Sequence, residues 1–61
     1  MASELNYEVF RGRGSDAYII ACELHRVVGI EAVDACLEED ELYVVLVTEE
    51  DAEKALAFIN L

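Results

Sequence analysis

The chain contains no proline, only four Lys and Arg together, and no long uninterrupted apolar run. Four basic residues against fourteen acids, a formal charge of -10, would repel a phosphate backbone, because affinity for nucleic acid rests on Lys and Arg displacing counterions. No segment approaches the roughly 20 apolar residues of a membrane span. The start, Met1-Ala2-Ser3-Glu4, has neither a basic region nor an apolar core, so it does not read as a secretory signal. A cytoplasmic location is the expectation. The two cysteines, Cys22 and Cys36, form no Cys-x-x-Cys pair and read as small hydrophobes in a reducing compartment. His25, the only histidine, cannot complete a zinc site with them. No metal and no cofactor are expected.

What the chain does contain is apolar. Hydrophobic residues make up 56% of it, which with the lack of proline favours a folded globule over disorder despite the charge. At 61 residues, read as a single domain over 1–61, it buries only about 60% of the surface of its unfolded form, so a partner surface is expected. The acids read first as a solvated surface. A basic partner or a high-salt cytoplasm, which Lys54 as the only lysine would suit, are the other readings.

The stretch Leu42–Val47, Leu-Tyr-Val-Val-Leu-Val, is apolar at every position and as a strand needs cover above and below. Before it, Leu5, Tyr7 and Val9 alternate with Asn6 and Glu8, predicting a half-buried strand over 5–11 that Gly12 and Gly14 end in positive-φ turns. Ser15 is the expected N-cap and Asp16 a first-turn acid of a helix. Ala17, Ile20, Ala21, Leu24, Val27 and Val28 form its buried stripe, and Gly29 closes it behind His25 and Arg26. Ile30–Glu38 alternates Val33, Ala35 and Leu37 against Ala32, Asp34 and Cys36, a second strand joined to the third by a tight acidic turn. Thr48-Glu49-Glu50-Asp51 resembles a capping box and opens a second helix through Ala52, Ala55, Leu56 and Ile59, expected to run to Leu61.

The order βαββα predicts an α+β, ferredoxin-like sandwich lacking the last strand: a three-stranded sheet with two helices on one face. A right-handed crossover is expected to set the first strand beside and parallel to the central one, the hairpin partner on its other edge. No proline guards the first strand as an edge.

Ser15-Asp16-Ala17, the run Ala21-Cys22-Glu23-Leu24 to Val28-Gly29-Ile30-Glu31-Ala32, and Val47-Thr48-Glu49-Glu50-Asp51-Ala52-Glu53-Lys54-Ala55 together resemble a small prokaryotic family of signal-transducing proteins. The resemblance covers nearly the whole chain and consists of fold-forming residues. It implies a ferredoxin-like domain distantly similar to nitrogen-regulatory signal proteins, a signal-transduction role, and no catalytic residues. Family members often carry a longer segment between the hairpin strands than the Glu38-Glu39-Asp40-Glu41 of this chain. The helix, Gly29-Ile30 and hairpin also suit a heavy-metal-binding-like fold, but the Gly12 to Ser15 loop holds no cysteine pair.

Arg11-Gly12-Arg13-Gly14-Ser15 is the candidate ligand site, since glycine-exposed amides before a helix start, flanked by two guanidiniums, can hold a phosphate or carboxylate. The bland alternative is an ordinary turn with solvated arginines. Glu38–Glu41 lacks the ligand spacing of a calcium loop and reads as a solvated hairpin tip. Cys22 and His25 lie a turn apart, but no third residue orients them as a nucleophile and base.

Two helices can cover only one side of the sheet. Either Leu42, Val44 and Leu46 or Tyr43, Val45 and Val47 must then lie opposite the helices, and the second set, with Tyr7 and Val9, is the candidate interface. The expected function is a non-enzymatic regulatory or protein-interaction module, a homodimer or partner-binding domain working through its open sheet face or edge. The alternative is a sensor of small anions using Arg11 to Ser15.

Overall fold

The computed structural model describes residues 4–60. The Met1–Ser3 start and the helix end expected at Leu61 lie outside the described residues. The elements follow the predicted order: β1 (Tyr7–Arg13), α1 (Gly14–Glu23) continued by a π-helical turn (Leu24–Val28), β2 (Val33–Glu39), β3 (Leu42–Val47) and α2 (Glu49–Ile59). The sheet order is β1-β3-β2, with the wholly apolar strand in the middle, in an α+β ferredoxin-like arrangement.

One expectation about the sheet is corrected. β1 runs antiparallel to β3, as β2 does, so the parallel pair is β1 and β2, the two edges. The reason is topological. The crossover through α1 returns the chain in the direction of β1, and the tight turn then reverses it, so the strand inserted between the first two opposes both.

β1 lies two residues further along the chain than its alternation suggested, because Gly12 stays extended and pairs with Tyr43. Neither Gly12 nor Gly14 takes a positive φ; among the described glycines only Gly29 does, at 89°. These two glycines instead make room for aromatic rings. A Cβ on Gly12 would stand 2.9 Å from the Phe10 ring, and one on Gly14 would stand 3.0 Å from Tyr43. The extended backbone persists to Arg13, which takes the N-cap position of α1 expected of Ser15 and makes no side-chain cap bond.

At its other end α1 widens into the π turn, where the Gly29 amide donates to the Leu24 carbonyl in an i→i+5 bond. The extra residue breaks the α-helical stripe. Ala17, Ile20, Ala21, Leu24 and Val28 reach the core, whereas Val27 is turned out and 68% exposed. Ile30, expected in the second strand, instead packs into the core, its amide donating to Leu24 O at 3.0 Å, and β2 starts only at Val33.

α2 begins as predicted. Thr48 Oγ1 accepts from the Asp51 amide at 3.3 Å and donates to Asp51 Oδ2 at 3.2 Å. Glu49, Glu50 and Asp51 occupy the first turn, where the helix dipole favours negative charge. Ala52 and Ala55 let α2 lie close on the sheet.

Two bulges set the faces of the sheet. In β1 the register skips Val9, which turns into the core beside Phe10. In β2 it skips Glu38: the two-residue turn Asp40-Glu41, both at positive φ (51° and 62°), pairs Glu39 with Leu42, yet Leu37 pairs with Tyr43. That slip aligns Val33 and Ala35 with Val47 and Val45 under the helices.

Candidate functional site: the open face of the sheet

The covered side of β3 carries Tyr43, Val45 and Val47, the two valines fully buried against Leu24, Ala17 and Ala55. The residues on the other side are therefore Leu42, Val44 and Leu46. This corrects the candidate interface: Val45, Val47 and Val9 belong to the core, Tyr43 packs against it, and Tyr7 is a half-exposed residue at the start of β1. The Glu38 bulge is the cause. An unbulged register from the Asp40-Glu41 turn would have paired Ala35 with Leu46 and left Val45 uncovered.

The open face has three rows read across the sheet: Arg13, Leu42 and Glu39; Arg11, Val44 and Cys36; Glu8, Leu46 and Asp34. An apolar stripe thus runs down the middle between two polar flanks of opposite character. The β1 flank holds Arg11 and Arg13 with a single acid, Glu8, whereas the β2 flank holds Asp34, Glu38 and Glu39 with no base.

Arg11 ties the flanks together. Its guanidinium donates to Glu8 at 2.9 Å and stands 4.0 Å from Glu38 on the far strand, so the side chain crosses above Val44. The hydrogen bond that the guanidinium donates to Glu8, and then the charge of that carboxylate, raise the Arg11 pKa from its ordinary value. With this cover Val44 is only 4% exposed, while Leu42 and Leu46 are half-buried. On the β2 side the Cys36 thiol donates to Asp34 Oδ2 at 3.0 Å, and Asp34 Oδ1 accepts from the Ala35 amide at 2.9 Å. The bond to Asp34, with lesser help from burial and the nearby acids, raises the thiol pKa.

The Arg11 to Ser15 segment does not form one anion cradle. Arg11 projects over the sheet and is engaged by Glu8, Gly12 is paired in β1, and Ser15 lies within α1. Arg13, Gly14 and Ser15 do line an open cleft of about 690 Å³ against the hairpin tip. Its other wall is Leu37, Asp40, Glu41, Leu42 and Tyr43, so an incoming anion would meet one exposed guanidinium and two carboxylates. His25 Nδ1 donates to the Ile30 carbonyl at 2.9 Å, bracing the end of α1, and no hydrogen bond joins it to Cys22 among the described residues. No group of three or more His, Cys, Asp or Glu among the described residues is placed to hold a metal ion. Nor is any described helix long and apolar enough to cross a membrane.

The open-face set of Leu42, Val44 and Leu46 was readable as one of two alternatives, and the polar alternation of Asp34 and Cys36 marked its β2 flank. The bulge that chooses between them left no turn residue or proline to signal it. No protein-family model, no curated protein and no solved structure matches the chain.

Proposed function

We propose that this protein is a non-enzymatic interaction module that docks through the open face of its sheet, in keeping with the signal-transducing family that its sequence resembles. The observation that carries this reading is the Leu42, Val44 and Leu46 stripe, uncovered by either helix and bracketed by flanks of opposite charge. A face is favoured over an edge because both edge strands carry a bulge and charged side chains, devices that discourage strand addition. Most of the acids and arginines serve helix starts, ion pairs and the flanks of the face, and among the described residues no hydrogen bond joins His25 to Cys22. The test is light scattering at concentrations up to millimolar in 1 M salt. The expected result is a species heavier than the 6.8 kDa of one chain, reduced to that mass by Val44→Glu. A heavier species that Val44→Glu leaves unchanged counts against the reading.

A further inference from the structure

We infer that the occupant of the open face is a second copy of this chain, related by a two-fold axis parallel to the strands. The inference rests on the open face being the docking surface and adds what sits on it and in which orientation.

Two faces can be brought together by an axis lying between them either along the strands or across them. An axis across the strands lays β1 on β1 and β2 on β2 of the second copy. With the Val44 rows at the centre it sets Arg11 against Arg11 and Glu39 against Asp34, so the acidic flank meets its own like and only Arg13 finds an acid, Glu8. An axis along the strands lays β1 on β2 of the second copy in both directions at once. Arg11 and Arg13 then stand over the row positions of Cys36 and Glu39, beside Glu38, the Val44 rows meet at the centre, and Glu8 over Asp34 is the one like-charged row. Self-complementarity of this kind is what an isologous contact requires, one patch matching itself under rotation, and opposite signs across the contact fix its register.

The size of the face adds a second consequence. Three strands about 4.8 Å apart and six residues of about 3.3 Å rise give roughly 300 Å² per copy, well below the roughly 800 Å² per partner of a standard interface. A weak dimer follows, and two chains of charge -10 repel at long range. Salt shortens the screening length from about 10 Å at 0.1 M to about 3 Å at 1 M and affects partly buried pairs least. Association therefore tightens as salt is added, by about tenfold or more over that range, opposite to the behaviour of a contact held mainly by exposed ion pairs.

The orientation is tested with single-cysteine chains. One carries Cys22→Ser and keeps only Cys36; the other carries Cys22→Ser, Cys36→Ser and Arg11→Cys. A short bis-maleimide is applied to each chain alone and to their mixture in 1 M salt, and Arg13→Cys replaces Arg11→Cys in a parallel set in case loss of the Arg11 ion pairs weakens folding. Cross-linked dimers in the mixture, with little in either chain alone, are the expected result. Cross-linking of each chain to itself overturns the axis but leaves the open face as the docking surface. A dimer seen by light scattering with no cross-links in any sample overturns the face itself. A monomer at every concentration and salt overturns the second copy as occupant.

Discussion

The two faces of β3 differ by one residue in the chain and by their whole surroundings. Val45 looks into the helices, in contact with Leu24 and Ala55 and shut off from water. Val44 looks the other way and is almost as little exposed, yet its cover is a single arginine crossing from one edge strand toward an acid on the other. Low exposure has different causes on the two sides. The covered face is dry because two elements pack on it; the open face is shielded by a long, solvated side chain that a partner could displace or retain.

The strongest way to break the comparison is to put a charge on the covered face: Val45→Asp places a carboxylate without a partner among Leu24, Ala17 and Ala55. The expected outcome is loss of cooperative urea unfolding, with the transition kept in Val44→Asp on the open face; a normal transition for Val45→Asp would show that the covered face is not dry. A gentler comparison swaps each valine for threonine, which keeps the shape and adds a hydroxyl. Val45→Thr buries that hydroxyl without water and is expected to cost about 1–3 kcal/mol in urea melts. Val44→Thr, with Arg11 and solvent beside it, should cost well under about 1 kcal/mol at concentrations where the chain is monomeric. Equal losses would mean that the two faces are equally dry. The smallest effect concerns Cys36. Because its bond to Asp34 raises the thiol pKa, the thiolate needed for alkylation forms at higher pH than for an unbonded thiol. Asp34→Asn should therefore speed iodoacetamide modification of Cys36 at any pH below the raised value, and unchanged rates would remove the hydrogen bond as the cause.

Much of the fold was legible from residue pattern because local chemistry and tertiary role agree. Thr48 caps α2, Gly29 takes the left-handed position after the helix, and the apolar Leu42–Val47 becomes the central strand. What was not legible depends on contacts distant in sequence. Gly12 and Gly14 read as turn residues, but the rings of Phe10 and Tyr43 hold their places in extended and helical backbone. Val27 fits an α-helical stripe that the π turn interrupts. In the candidate site, Arg11 and Arg13 read as parts of a ligand-holding turn, whereas their register in β1 sets them along one flank of the open face. The apolar residues of that face were hidden because Leu42–Val47 alternates hydrophobic with hydrophobic, so no period-2 signal distinguishes one side from the other.

The sheet order also governs how the chain can acquire its structure during synthesis. Both ladders are made with β3, so a growing chain that has not yet released Val47 owns no complete strand pair, and β1 with α1 must wait through the whole of β2 for its only neighbour. An isolated two-stranded piece is marginal in water even once formed. Folding is thereby deferred until β3 has been made, and a truncation anywhere before β3 leaves β1 and β2 without the strand that both pair with.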